Sequence, residues 1–188
     1  IDKISEMIKK EPVIAVSDCY CRATKQLVGE DCGHPLETCF YFNELALIKL
    51  ETGYARRVEY DEAMRILYSA EQAGLVHNVS NCEGKILTLC NCCACSCGVL
   101  RATIRGQTNV GAPSRFHSVL APDACTLCGA CVKICPMTVF AIDDNVLTMR
   151  AGRCIGCGLC VSVCKDGALS MELRKKPAKI YANNDALQ

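Results

Sequence analysis

The spacing of apolar positions predicts two helices in the first half of the chain. Residues 43–52 carry leucine and isoleucine at close intervals, and this stretch stops at Gly53. Residues 60–73 place Ala63, Met64, Leu67 and Ala70 on one face and end at Gly74, a residue type that commonly follows a helix. We expect both helices to act as a scaffold, with their apolar side chains in the core.

Short apolar segments separated by polar turns predict strands elsewhere. Residues 75–79 and 86–89 flank a polar turn at 80–84, which indicates a hairpin that brings the chain back toward residues 19–39. Nearer the C-terminus, brief strands in hairpins are predicted at 118–121, 139–142, 146–149 and 168–173, with a turn at 143–145. The expected fold class is therefore α+β.

Composition changes this picture, because much of the apolar content is cysteine. Of the 188 residues 51% are nominally hydrophobic, but 18 are cysteines and aromatic residues make up only 5%. Small domains with thin cores commonly rely on metal–thiolate bonds. The cysteines lie too close together in sequence for well-formed pairwise disulfides, which favours metal binding in a reducing compartment, the cytoplasm.

Charge and hydropathy exclude several other classes. The net charge of +1 gives no sign of nucleic-acid or membrane-surface binding, and no apolar run approaches the ~20 residues of a membrane span. The N-terminus is not a signal peptide, and no phosphate-binding glycine loop or acid–base pair with a nucleophile is present. The chain begins without Met, which suggests a processed or truncated piece of a longer protein.

An internal repeat carries the strongest chemical signal. Residues 125–136 follow the spacing C-x2-C-x2-C-x3-C-P, and the same cysteine spacing returns 29 residues later at 154–164. Each cubane presents four irons that bind soft thiolates, and the two-residue spacers let one loop supply three of them. Gly129, Gly156 and Gly158 are expected to adopt positive φ in these loops.

The fourth cysteine of each run is expected to start a helix that leads to the other cluster. One predicted cluster is held by Cys125, Cys128, Cys131 and Cys164, and the other by Cys154, Cys157, Cys160 and Cys135. Over about 50 residues the sequence resembles the two-cluster bacterial ferredoxins, with Lys165 in place of the usual second proline. Paired zinc ribbons are the competing interpretation, but they do not account for the third and fourth cysteines of each run.

The N-terminal part contains five ordered motifs: Cys19-x-Cys21-Arg22, Gly29-x-x-Cys32, Pro35-Leu36-Glu37-x-Cys39, Ala73-Gly74-Leu75-Val76 and the run Cys90–Cys97. Through these motifs it resembles a family of ferredoxin-like proteins of anaerobic bacteria and archaea. The resemblance implies an N-terminal cysteine-rich domain ahead of a two-cluster ferredoxin domain, often with a helix-turn-helix region upstream. Ser96 stands where a further cysteine is common, and Glu59 stands where a helix-capping serine is usual.

Nine N-terminal cysteines are candidate ligands for one or two additional 4Fe–4S clusters. Cys82 lies in the predicted turn and is set aside, and the assignment of thiolates to clusters is left open. His34 is an unusual ligand, a donor beside the site or simply an exposed residue. Arg22 either donates to sulfide or offsets cluster charge, or it is an ordinary surface residue. The candidates are Cys19, Cys21, Cys32, Cys39, Cys90, Cys92, Cys93, Cys95 and Cys97.

The domain prediction has four parts: a cysteine-rich domain of helices and a hairpin at 1–100, a linker at 101–118, the ferredoxin domain at 119–175 and a tail at 176–188.

The sequence leaves three functions open. The first is an electron-transfer protein or subunit, more carrier than enzyme, between a low-potential donor and a partner oxidoreductase, either as a homo-oligomer or within a larger complex. The second is a redox enzyme whose open-iron N-terminal cluster binds substrate. The third is a redox sensor coupled to an upstream DNA-binding region.

Overall fold

The computed structural model describes residues 2–80, 85–107, 114–177, 179–180 and 182. The chain divides into two compact units, one of residues 1–101 with 180–188 and one of residues 102–179. Residues 101–104 and 116–118 of the predicted linker lie in a helix and a strand respectively. The domain boundaries themselves stay a prediction.

The N-terminal unit is built around a five-stranded antiparallel sheet. The strands are β1 (Ile14–Asp18), β2 (Glu37–Phe42), β3 (Arg56–Arg57), β4 (Val76–Val79) and β5 (Thr88–Cys92). Their order is β3-β1-β2-β5-β4, which places β2 at the centre. The helices are α1 (Asp2–Ile8), α2 (Tyr20–Leu27), α3 (Asn43–Glu51) and α4 (Tyr60–Gln72), with α5 (Gly98–Ile104) following the cysteine run.

The two predicted helices and the predicted hairpin are present in the structure. Helices α3 and α4 occupy the expected stretches, and β4 pairs antiparallel with β5. The hairpin does bring the cysteine run back to the earlier cysteines, because β5 also pairs with β2. Residues 81–84 of the predicted turn, which include Cys82, lie outside the described residues.

The description of this unit as helices and a hairpin was incomplete, because three sheet strands, β1, β2 and the two-residue β3, were not predicted. Strand β1 is a short apolar run with four successive buried residues, a length at which sequence does not separate helix from strand. In β2, Thr38, Phe40 and Phe42 are buried while the intervening residues are partly exposed. That alternation is a usable strand signal, but it overlaps the cysteine motif at residues 35–39.

The core of the N-terminal unit lies between this sheet and helix α4. Ile14, Val16, Phe40, Phe42 and Leu67 are at most 5% exposed and belong to one cluster. Helix α4 begins after Glu59, whose side chain makes no capping hydrogen bond. The helix is therefore held mainly by burial of its apolar face, which gives the cysteine segments a fixed base.

The C-terminal unit has two antiparallel strand pairs and two short helices. Strand β6 (Phe116–Leu120) pairs with β9 (Leu169–Leu173), and β7 (Phe140–Asp143) pairs with β8 (Val146–Met149). Helices α6 (Ala130–Ile134) and α7 (Leu159–Ser162) each contain the third cysteine of a run. The prediction that the fourth cysteine starts a helix was wrong: α6 ends at Ile134, and Pro136 disfavours helical geometry at Cys135.

Candidate metal centres

One open cavity of the C-terminal unit is lined by four thiols from both cysteine runs. Cys125, Cys128 and Cys131 come from the first run and Cys164 comes from the second, around a space of about 350 Å³. Leucine, alanine and glycine supply most of the remaining wall. At the rim the Thr126 hydroxyl donates a 2.7 Å hydrogen bond to Asp166. A thiol-lined, otherwise mainly apolar cavity fits an iron–sulfur cluster that needs soft ligands.

A second cavity has the reciprocal lining. Cys154, Cys157 and Cys160 come from the second run and Cys135 from the first, around about 310 Å³. The main chain hydrogen-bonds to one ligand sulfur, since the Val139 N–H lies 3.5 Å from the Cys135 Sγ. Each predicted quartet thus lines one cavity, and ligation of iron by these thiols stays a prediction.

Glycines allow the loops to approach these cavities closely. Gly129, Gly156 and Gly158 have φ values of +73°, +73° and +83°, which confirms the expected positive φ. At Gly156 a Cβ atom would lie 2.1 Å from the carbonyl oxygen of Phe116. The loop that carries Cys154 and Cys157 therefore packs against β6 only because residue 156 has no side chain.

Further contacts hold that loop to the unit. Arg174 donates to the carbonyl oxygen of Cys154 at 2.6 Å and to that of Ser114 at 3.0 Å. The Ser118 hydroxyl lies 3.5 Å from the Cys154 sulfur. None of these contacts was predicted from the sequence, because Arg174 and Ser118 are distant in the chain from Cys154 and belong to no cysteine motif.

Burial changes the pKa of three of the C-terminal thiols. It raises the pKa of Cys157 to about 11 and that of Cys160 to about 12, and it also raises the pKa of Cys131. A buried thiol loses its proton reluctantly because the thiolate is poorly solvated there. Binding of a cationic metal centre supplies the missing stabilisation of the charged form.

In the N-terminal unit the candidate ligands come from five segments. Cys19 and Cys21 lie at the start of α2, Cys39 lies on β2, and Cys90 and Cys92 lie on β5. Strand pairing sets Phe40 opposite Leu89, so the cysteines of β2 and β5 are brought onto neighbouring strands. The loop at 93–97 carries the last three cysteines, and Cys32 lies between α2 and β2.

Five of these thiols interact as successive neighbours, in the order Cys19, Cys39, Cys90, Cys92 and Cys97. The hydrogen bond from Cys39 lowers the pKa of Cys19 to about 6, and hydrogen bonds from Cys39 and Cys92 lower the pKa of Cys90 to about 3. The alternate thiols Cys39 and Cys92 have raised pKa values because they donate those bonds.

Cys21 belongs to the same neighbourhood through its electrostatic coupling to Cys19, Cys97 and Cys90. Burial is the main reason that its pKa is raised. We call this set the six-thiol group; its members are Cys19, Cys21, Cys39, Cys90, Cys92 and Cys97.

The other three N-terminal candidates form a separate, tighter set. The sulfur atoms of Cys32, Cys93 and Cys95 all lie within 4.8 Å of one another. The Ser96 hydroxyl lies 3.6 Å from the Cys32 sulfur and 3.8 Å from the Cys95 sulfur. We call Cys32, Cys93 and Cys95 the three-thiol group. His34 is not part of it.

Arg22 is buried beside both thiol groups. Its side chain is 2% exposed, donates to the Asn91 carbonyl oxygen at 2.9 Å and also donates to the Thr38 hydroxyl. Burial opposes its charge, but a hydrogen bond with Cys93 and the field of Cys19 raise its pKa. It is therefore not an ordinary surface residue.

The partners that hold Arg22 were not predicted. Asn91 lies inside the cysteine run and is 1% exposed, and its amide donates to the Thr38 carbonyl oxygen at 2.6 Å. None of the hydrogen bonds described for Arg22 goes to a carboxylate. An isolated buried charge is costly, so thiolate or cluster charge is the natural partner of this guanidinium.

Comparison with known proteins identifies the class of the C-terminal region. A family model described as a 4Fe-4S dicluster domain matches residues 117–165. A search of curated proteins finds no match to the chain. Within the part of the chain that the structure describes, no helix has the length and apolar character needed to cross a membrane. The C-terminal region is thus a ferredoxin-like dicluster domain, through which the protein binds 4Fe–4S clusters and has a role in electron transfer.

Proposed function

We propose that the protein is a multi-cluster electron carrier, or the electron-transfer subunit of a larger assembly, that passes electrons between a low-potential donor and a partner oxidoreductase. The observation that carries this proposal is the pair of cavities, each lined by three thiols of one run and the fourth thiol of the other. When bound, a 4Fe–4S cluster accepts and releases single electrons.

The residues around the cavities suit this role. Leu120, Leu147 and Leu169 line the first cavity and limit water access to the thiolates. At the second cavity, the Ser118 hydroxyl and the Val139 N–H contact ligand sulfurs. Hydrogen bonds to sulfur and burial are the protein's means of setting a cluster potential. Because each cavity takes a ligand from both runs, the two clusters are held close together within one fold.

The N-terminal unit extends the electron path under this proposal. Four thiolates of the six-thiol group are enough for one further cubane, and buried Arg22 offsets part of its negative charge. The proposed setting is the cytoplasm of an anaerobe, in keeping with the motif order from Cys19 to Cys97.

Anaerobic redox titration of the full chain tests the proposal. We expect about four irons and about four acid-labile sulfides per cluster. The reduced protein should show magnetic coupling between two neighbouring clusters in its electron paramagnetic resonance spectrum. Clusters that are reduced reversibly, without a spectral change on adding candidate small substrates, support a carrier. A protein without paired, redox-active clusters contradicts it.

A further inference from the structure

The three-thiol group differs from every other set of candidate ligands in how closely its sulfurs converge. Among the described residues it is the one set of three metal-binding side chains whose ligand atoms all lie within 4.8 Å of one another. All eight cysteines of the two C-terminal cavities are described, and no three of them meet this limit. Thiolates of a cubane bind separate irons and stand apart, whereas thiolates of a mononuclear site share one ion.

The distances fit one tetrahedral ion. With bonds of about 2.3 Å to sulfur and about 2.0 Å to oxygen, tetrahedral geometry sets neighbouring donors about 3.5–3.8 Å apart. The Ser96 hydroxyl lies 3.6 Å from the Cys32 sulfur and 3.8 Å from the Cys95 sulfur, and the Cys93 sulfur lies within 4.8 Å of both of these sulfurs. The serine oxygen is therefore placed to serve as a fourth donor beside the three sulfurs.

The charge of such a site is compensated inside the protein. Three thiolates around a divalent ion leave one negative charge, and the buried Arg22 guanidinium, which is near enough to Cys93 to interact with its charge, supplies one positive charge. Arg22 is 2% exposed and its Nε has no hydrogen-bond partner. A buried guanidinium is tolerated when an anionic group is its neighbour.

We propose that Cys32, Cys93, Cys95 and the Ser96 oxygen hold a single thiophilic divalent ion, Zn²⁺ or Fe²⁺, separate from every iron–sulfur cluster of the protein. Such an ion joins the loop between α2 and β2 to the loop between β5 and α5. Cys95 is exposed and Cys93 is buried, so the ion sits at the edge of the unit, with one side reachable from solvent. This proposal does not depend on the proposed electron-transfer role.

Metal and sulfide analysis combined with native mass spectrometry of the anaerobically purified full chain tests the proposal. We expect one zinc or iron per chain that has no matching acid-labile sulfide. The Cys95→Ala variant should lose this ion and keep all of its sulfide. Because Cys95 is exposed, this substitution should disturb the fold less than a change at Cys32 or Cys93. The matched control Cys90→Ala alters the six-thiol group and should keep the ion, whatever it does to the sulfide content.

Loss of about four irons and about four sulfides from Cys95→Ala would overturn the proposal, because the group would then belong to a cubane. Absence of a sulfide-free ion from the wild-type protein would overturn it equally. Neither result bears on the C-terminal clusters, whose loss or retention is counted separately in Cys128→Ala. The two proposals can therefore fail independently.

X-ray absorption at the edge of the bound ion tests the serine. We expect three sulfurs at about 2.3 Å and one oxygen at about 2.0 Å in the wild type. Ser96→Cys should raise the sulfur count to four while the ion content stays at one. A sulfur count that does not change in this variant would overturn the assignment of Ser96 as the fourth ligand.

Discussion

The two units treat their cysteines in opposite ways. In the C-terminal unit each quartet surrounds an open cavity, and burial raises the pKa values of Cys131, Cys157 and Cys160. In the N-terminal unit the thiols hydrogen-bond one another beside a buried arginine, and the pKa values of Cys19 and Cys97 are lowered to about 6. The first arrangement is a set of preformed cluster cavities, and the second is a polarised thiol network.

This difference teaches how each unit would stabilise thiolate charge. The C-terminal thiols have mainly apolar walls, so most of the stabilisation must come from the metal centre itself. The N-terminal thiols interact with one another and with Arg22, so part of the stabilisation of thiolate charge is present before any metal binds. We therefore expect the C-terminal clusters to depend on cavity shape and the N-terminal centres to depend on hydrogen bonding and charge.

The largest expected effect comes from breaking the reciprocal ligand sets. Cys164→Ala should remove the cluster of Cys125, Cys128 and Cys131, and Cys135→Ala should remove the other, each with a loss of about four irons per chain. Iron and sulfide assays combined with electron paramagnetic resonance check this. Cys82→Ala, at a cysteine not assigned to any centre, is the control. If the ligands were not exchanged, Cys164→Ala would instead remove the cluster of Cys154, Cys157 and Cys160, and Cys135→Ala would remove the cluster of Cys125, Cys128 and Cys131.

A second, smaller effect tests the dependence on cavity shape. Gly156→Ala should destabilise the C-terminal unit by about 2–5 kcal/mol, because the new Cβ strains a positive φ and meets the Phe116 carbonyl oxygen. The measurement is the loss of visible cluster absorption on heating under anaerobic conditions. Gly152→Ala is the matched control, since nothing lies within 4 Å of its Cβ position. Equal behaviour of the two variants would contradict the packing argument.

Arg22 tests the dependence of the N-terminal unit on charge. In Arg22→Gln the potential of the N-terminal cluster should fall by on the order of 100 mV, because a nearby positive charge that favours reduction is lost. Redox titration followed by electron paramagnetic resonance measures this shift, with Arg22→Lys as the charge-conserving control. The C-terminal potentials should not move. A rise of the N-terminal potential would refute the role of Arg22 as counter-charge.

The smallest expected effect concerns an ion pair on the sheet edge. Arg56 donates two 2.7 Å hydrogen bonds to Glu37 and lowers the pKa of that carboxyl group. Because the folded pKa lies below the unfolded one, the pair stabilises the fold above about pH 4.3 and loses this effect as the pH falls through the lowered value. Both side chains are more than a third exposed, so we expect less than about 1 kcal/mol.

Urea unfolding of Arg56→Gln between pH 3 and pH 7 checks this prediction by circular dichroism. The variant should be slightly less stable than the wild type at pH 5–7, and the two should converge at the acidic end. Arg57→Gln is the control, because the Arg57–Glu59 pair is longer, at 3.9 Å, and more exposed. A difference that grows as the pH falls would contradict the assigned sign.

Much of the fold followed from local patterns. Helices α3 and α4 and the β4–β5 hairpin had clear periodicity and turn signals, and the structure has all three. Strands β1 and β2 escaped prediction because the apolar run in β1 is too short to separate helix from strand and because the alternation in β2 overlaps a cysteine motif. The sheet order depends on pairings between strands distant in sequence, such as β2 with β5, which no local pattern encodes.

The site residues divide in the same way. Sequence alone determined the two C-terminal quartets, because short spacers allow a single loop to place three thiols around one centre. Only the tertiary structure divided the nine N-terminal cysteines into a group of six and a group of three. Cys92 and Cys93 are neighbours in sequence but belong to different groups.

The physical reason is that successive side chains of an extended chain point to opposite faces. Cys90 and Cys92 on β5 share one face, whereas Cys93 follows the end of β5 and its sulfur lies with those of Cys32 and Cys95. The spacing of cysteines gives only their separation along the chain, and it does not show which distant segment lies on each face of the sheet. That choice was made by the five-stranded sheet, and with it the partition of the N-terminal thiols.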